Sequence, residues 1–227
     1  TQSRSSAASD VYKRQKDTWA FFARYDQNTV DILKNTFTQE VNLNGQKMTV
    51  NNKNIAINDK ITAIELTKSN KNKDLKFHGG GSIELTDNLN SGTGGLIFDE
   101  GQHYSVIGKD KAYKGAGVEI GKDTVVDWSV KGEANDNLHK TGAGTLNVNV
   151  AQGNNLKTGA GTLNVNVAQG NNLKTGDGTV FLNAEKAFNA IYVASGRGTV
   201  KLGQADALDK NSDYRGFILP AVEGLWI

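Results

Sequence analysis

One seven-residue phrase occurs four times in the C-terminal half of this chain, and its spacing constrains the architecture more than any other feature. Gly142-Ala-Gly-Thr-Leu-Asn-Val148 returns as Gly159 to Val165, as Gly176-Asp-Gly-Thr-Val-Phe-Leu182 and as Gly196-Arg-Gly-Thr-Val-Lys-Leu202, with starts 17, 17 and 20 residues apart. A unit this short cannot bury an apolar face by itself, but stacked copies close one continuous core, which is the logic of a solenoid. Each copy then forms about one coil of a right-handed parallel β-helix. Alternation places Leu146, Val148 and Val150 on Leu163, Val165 and Val167, and these on Val180 and Leu182, with Asn147 and Asn149 facing solvent. The stretches Lys140 to Leu156 and Lys157 to Leu173 are identical residue for residue. Such identity points to a recent in-frame duplication or an assembly error, and either adds a whole coil without slipping the register.

Upstream, short alternating pairs continue the theme: Val41/Leu43, Met48/Val50, Ile55/Ile57, Ile64/Leu66, Leu75/Phe77 and Ile83/Leu85. Such alternation buries one face of a sheet and leaves the other wet. A Gly content of 26 against a single proline suits frequent turns at positions of positive φ. The mean hydropathy of −0.49 is that of a chain with a modest core. The cysteine count of 0 excludes disulfides, thiolate catalysis and thiolate-ligated zinc. No run of about 18 apolar residues is present to cross a membrane as a helix, so no direct membrane contact is expected. The formal net charge of +2 is carried by Arg4, Lys13 and Arg14 against Asp10 at the extreme N-terminus, and the neutral remainder argues against nucleic acid as a partner.

Residues 1 to 15 are polar and patternless and read as a non-native sequencing artefact; residues 217 to 227 hold Pro220, abandon the Gly/Asn/Thr style and read as a frameshifted tail. Thr18 to Tyr25 is aromatic and strand-like, whereas Val30, Ile32, Leu33 and Phe37 share a helix face over Thr29 to Phe37, with Thr29 as N-cap.

Candidate chemistry is sparse. His78, His103 and His139 have no second ligand at metal spacing, so no metal site is expected. The acid pairs Asp99/Glu100 and Asp123/Asp127 have the residue types for glycoside hydrolysis, and charged turns account for them equally well. The glycine clusters at Gly79 to Gly81 and Gly92 to Gly95 lack the Lys-Ser/Thr of a phosphate loop, and the repeats lack the Gly-Gly-x-Gly-x-Asp of calcium-binding rolls; no cofactor is expected. Ser195 lies in an Ala-Ser-Gly turn. Asn154/Asn155 and Asn171/Asn172 recur at turns, positioned to stack as ladders.

An ordered series of short motifs then becomes specific. Leu75-Lys-Phe-His-Gly-Gly-Gly-Ser-Ile-Glu-Leu85, Gly92-Thr-Gly-Gly-Leu-Ile-Phe98, Lys114-Gly-Ala-Gly-Val118, Leu138-His-Lys-Thr-Gly-Ala-Gly-Thr-Leu146, Gly176-Asp-Gly-Thr-Val180, Ala194-Ser-Gly-Arg-Gly-Thr199 and Tyr214-Arg-Gly216 follow one another in this order. Over roughly residues 17 to 216 the chain resembles the stalk of the immunoglobulin A1 protease type of serine protease autotransporter, peptidase family S6. Lys16-Asp-Thr-Trp-Ala-Phe-Phe-Ala-Arg-Tyr-Asp26 resembles the strand after the catalytic serine of that family. The resemblance implies a C-terminal remnant of a chymotrypsin-like β-barrel protease domain over 16–40 and a β-helical passenger stalk over 41–216. Trp19, Phe21, Phe22 and Tyr25 would then lie on a strand near the substrate cleft.

The family's Gly-Asp-Ser-Gly nucleophile motif is absent, and Gly176-Asp177-Gly178-Thr179 has glycine where the nucleophile would sit. No catalytic residue is assigned to this chain, and the fragment itself is expected to be inactive. The resemblance implies a secreted, virulence-related protein of a Gram-negative bacterium whose partners are host extracellular proteins as substrate. Two other readings stand beside it: a β-helical adhesin binding host glycans or matrix, and a polysaccharide lyase or hydrolase on a bare β-helix. In isolation the chain is expected to self-associate through uncapped β-helix ends.

Overall fold

The computed structural model describes residues 38–50, 54–57, 60–65, 73–133, 136–153, 155–193, 197–211 and 213–215. The chain divides after Gln39, and apart from Thr38 and Gln39 the described residues belong to the second unit, Glu40–Ile227. The aromatic strand and helix expected over 18–37, with Trp19, Phe21, Phe22 and Tyr25, lie outside the described residues, as does the barrel remnant they were read into.

The described residues form a parallel β-helix with two long sheets. One is nine-stranded, with Thr38–Asn42, Asp74–His78, Leu96–Phe98, Val118–Ile120, Leu138–Thr141, Leu156–Thr158, Asn172–Thr175, Ala190–Val193 and Asp213–Arg215 in that spatial order. The other stacks Lys47–Val50, Gly81–Leu85, His103–Lys114, Val125–Gly132, Thr145–Val148, Thr162–Val165, Thr179–Leu182 and Thr199–Leu202, all parallel. The chain alternates between the sheets, so one coil is one strand of each. Beyond Lys47–Val50 the second sheet is extended by an antiparallel excursion, Asn54–Ile57 and Lys60–Glu65. Ile55/Ile57 and Ile64 fall on these strands as the alternation predicts, Leu66 lies outside the described residues, and the two strands pair antiparallel with each other.

The core follows from the alternation. In the second sheet Val126, Leu146, Leu163, Val180 and Val200 stand in register, and beside them Trp128, Val148, Val165, Leu182 and Leu202. In the first sheet Phe77, Phe98 and Ile120 form one column, and Leu138, Leu156, Leu173 and Ile191 another. The early coils are filled by rings: Phe77, Phe98 and Tyr104 pack with centroids 5.3 and 5.1 Å apart, and Tyr113 meets Trp128 edge-on at 5.6 Å. Later coils are filled by Leu and Val. Turns must approach the neighbouring coil closely, and glycine makes this possible. Gly142 has φ of +81°, and a Cβ there would run into the Ile120 carbonyl.

Two positions depart from simple alternation. Val150 is half-buried and Val167 exposed, so neither joins the core, because the strands end at Val148 and Val165. Gln152 and Gln169 turn inward in their place: Gln152 Nε2 donates to the Val130 and Val150 carbonyls at 2.9 Å, and Gln152 N donates to Gln169 Oε1 at 3.0 Å. Both amides thereby bond backbone that the end of the strand leaves without a ladder partner.

The second departure concerns the identical copies. Thr145 to Val148 pairs with Thr162 to Val165 at the 17-residue spacing of the repeat, but Leu138 pairs with Leu156 and Lys140 with Thr158. The first sheet is therefore one residue out of step with the repeat at this coil, since Leu138-His139-Lys140-Thr141 holds one residue more than Leu156-Lys157-Thr158. A one-residue slip inverts the side-chain direction. Lys157 and Lys174 point to solvent, whereas Lys140, their repeat equivalent, is only 1% exposed inside the solenoid. Its Nζ donates to the carbonyls of Gly142 at 3.0 Å and Ala160 at 2.8 Å, and no carboxylate among the described residues pairs with it. Burial disfavours the ammonium and lowers its pKa from 10.5 to about 8.

Outside, charge also runs along the axis. Glu84 bonds Lys47 of the preceding coil at 2.8 Å and Lys109 of the following coil at 2.7 Å. The Lys109 and Lys47 hydrogen bonds outweigh desolvation and hold the Glu84 pKa down at about 2.

Two outcomes follow. Lys140 binds its proton less tightly folded than unfolded, so its penalty is full below about pH 8 and fades as pH rises to about 10.5. Urea titrations across that range should show the native chain gaining about 3 kcal/mol relative to Lys140→Met, from the 1.36 kcal/mol per unit of pKa shift; parallel curves for the two would remove the buried ammonium from the account. Glu84 has the opposite sign: its contribution is present above pH 4.5 and is lost as pH falls toward 2. Glu84→Gln should cost up to about 1 kcal/mol at pH 7 and only a small fraction of that at pH 2, as thermal melts at the two pH values would read.

Candidate functional site

Two of the three histidines singled out by sequence, His78 and His103, are built into the outer surface as inter-coil ties. His78, which ends its strand, has Nδ1 2.8 Å from Asp99 Oδ2, and its Nε2 is 3.7 Å from Glu40. Lys76 stands 3.8 Å from the same aspartate. Burial pushes the Asp99 carboxyl up, but the His78 hydrogen bond, the Glu100 amide and Lys76 outweigh it and hold the pKa below the ordinary value. His103, at the start of its strand, has Nε2 2.6 Å from Asp127 Oδ2. His139 lies mid-strand, exposed, on the outer face of the first sheet.

Asp127 is also the head of a polar column. Its Oδ1 accepts from Asn147 Nδ2 at 2.7 Å, and Asn147 Oδ1 accepts from Asn164 Nδ2 at 2.7 Å. These asparagines occupy register-matched positions on successive strands, so each amide reaches the next. A parallel chain runs from Asn183 through Asn166 to Asn149 at 2.9 Å per step. The expected ladder at the Asn155/Asn172 turns is present in another form, as an Asn172 amide bonded to Asn155 Oδ1 at 3.2 Å. Alternation alone marks the outward faces and misses the ladders, because recognising them requires knowing which residues stand in register.

The acid pairs do not assemble as catalytic dyads. Burial raises the Asp127 pKa, and bonds from Asn147 and His103 overcome it and keep the carboxyl ionised. Asp99 is held in the same way, so neither acid is poised to donate a proton at neutral pH. Asp123 sits in a turn with φ of +57°. No group of three or more His, Cys, Asp or Glu residues is arranged to hold a metal ion among the described residues. The glycine cluster at Gly79 to Gly81 is a close-packed turn: all three have positive φ, and a Cβ on Gly81 would meet the Gln46 carbonyl. Ser195 lies outside the described residues, and among the described residues neither His78 nor His103 hydrogen-bonds a serine. The geometry is that of a scaffold whose polar groups tie coil to coil.

Comparison with known proteins identifies the family. No family model matches the chain. The serine protease EspC of Escherichia coli O127:H6 is 52% identical over 201 residues, covering 88% of this chain and 14% of its own length. The serine protease pet autotransporter of Escherichia coli O44:H18 is 44% identical over 195 residues, covering 85% of this chain and 14% of its own. Among solved structures, the passenger domain of the plasmid encoded toxin from enteroaggregative Escherichia coli superposes with a TM-score of 0.55 at 41% identity, covering 83% of this chain and 18% of that one. The chain thus spans about one seventh of the length of these curated relatives. It belongs to the serine protease autotransporters of peptidase family S6, as a β-helical segment of their secreted passenger domain.

Proposed function

We propose that this chain is the neck of a secreted autotransporter endopeptidase that cleaves host extracellular proteins, the β-helix over 41–216 being the shaft that displays the protease. The observation that carries the reading is the 52% identity to a serine protease over 88% of the chain, in a segment whose His78 and His103 are engaged by carboxylates between coils. In this reading residues 16–40 are the end of the protease domain, with Trp19, Phe21, Phe22 and Tyr25 beside the cleft, and residues 1–15 and 217–227 are foreign to the native protein. The triad that attacks the scissile carbonyl, with serine as nucleophile and histidine as base, lies on residues outside this sequence.

The test is enzymatic. Residues 1–227 should leave fluorescent casein intact, whereas the reading frame extended upstream through a Gly-Asp-Ser-Gly segment should cleave it and lose that activity on Ser→Ala in the segment. Extended protein without cleavage would overturn the protease reading.

The same proposal includes self-association of the isolated chain. Thr199–Leu202 pairs on only one side among the described residues, and Leu202 is 42% exposed. An edge of this kind templates strand addition. Sedimentation velocity should show larger species rising with concentration, reduced in Leu202→Lys; a monomer at all concentrations would dismiss the association.

A further inference from the structure

The outer face of the first sheet carries a column that holds two lysines, Lys157 and Lys174, on neighbouring strands. Register places His139, Lys157, Lys174 and Tyr192 on successive strands at the same position, all outward. Adjacent strands lie about 4.8 Å apart, so the two ammonium groups stem from neighbouring points on a line parallel to the solenoid axis. Like charges directly opposite on paired strands are destabilising. On the second sheet Lys47 and Lys109 are neutralised by Glu84, whereas Lys157 and Lys174 are exposed and have no ion-pair or hydrogen-bond partner among the described residues. Asp177 and Glu185, the acids between 137 and 193, sit in turns rather than on this face. Glu119 is in register with Thr141, not with the lysines. Beside the lysines, Asn155 and Asn172 form a second outward column, half-buried, two residues earlier on each coil.

We propose that this face binds a linear anionic polysaccharide lying along the solenoid axis. Lys157 and Lys174 would meet its sulfate or carboxylate groups, the asparagine amides its hydroxyls, and the Tyr192 ring would close the track. A straight ladder of charges favours an extended polymer over a compact anion, because successive rungs then engage successive groups. The argument rests on this face alone and stands independently of the protease reading. A single terminal aromatic gives no stacking platform for bases, which disfavours single-stranded nucleic acid.

The experiment uses the whole 227-residue chain over immobilised heparin and hyaluronan by biolayer interferometry, at 50 to 200 mM salt. Binding to heparin with a steep salt dependence is expected, and parallel binding to hyaluronan would extend the ligand from sulfate to carboxylate. Lys157→Glu with Lys174→Glu should weaken binding about tenfold or more and flatten the salt slope. Lys122→Glu with Lys186→Glu, two exposed turn lysines off the column, should leave it unchanged, with circular dichroism checking that each variant retains its β signal. Absence of binding by the native chain, equal losses in the two double variants, or displacement by single-stranded DNA as readily as by heparin would overturn the proposal.

Discussion

A parallel ladder sets each residue of one coil against a single residue of the next, and every other property of this solenoid depends on that pairing. Inward, it lines Leu146 with Leu163 and Val180, so that the core is a set of columns rather than a mosaic. Outward, it lines Asp127 with Asn147 and Asn164, so that a side chain able both to donate and to accept can extend a bonded row from coil to coil. An amide has both capacities and a carboxylate only one. This is why the aspartate can stand only at the head of its row, where the histidine ends the chain of bonds on the other side.

The same pairing is unforgiving of a residue count that changes. The extra residue in Leu138 to Thr141 is absorbed in the turn that follows, since the second sheet returns at once to the 17-residue spacing. The strand before the turn keeps its apolar Leu138 inward, and the cost falls on Lys140, whose ammonium enters a low-dielectric interior with two carbonyls for company. Two sequences identical over 17 residues thus bury different side chains. What decides is the strand each is laid upon, not its own composition.

Much of the fold was legible because a solenoid writes its cross-section repeatedly. The glycine-led phrase located the coils, and the alternation in Leu75/Phe77 and Ile83/Leu85 located the buried columns. What escaped was of two kinds. Strand ends escaped: nothing in Val150 or Val167 differs from Val148 or Val165, and only the turn that brings Gln152 and Gln169 inside leaves the later valines out. Inter-coil register escaped as well, hence the buried Lys140, the asparagine rows and the Glu84 bridge, because residues some 20 positions apart meet only once the coil lengths are known. The family was recognisable from ordered motifs, whereas the strand proposed for the substrate cleft, Trp19 to Tyr25, falls outside the described residues and remains a proposal.

The exact duplication has a mechanical meaning. Inserting one coil leaves the girth of the shaft, its two sheets and the faces it presents untouched, and raises everything stacked beyond it by one strand spacing, about 4.8 Å. Reach in such a protein is quantised in strand spacings: the second copy brings Asn164 to an outer row and Lys157 to an outer column, whereas the Lys140 of the first copy lies inside. A shaft built this way lengthens by whole coils, each laid on the last, with no redesign of the core.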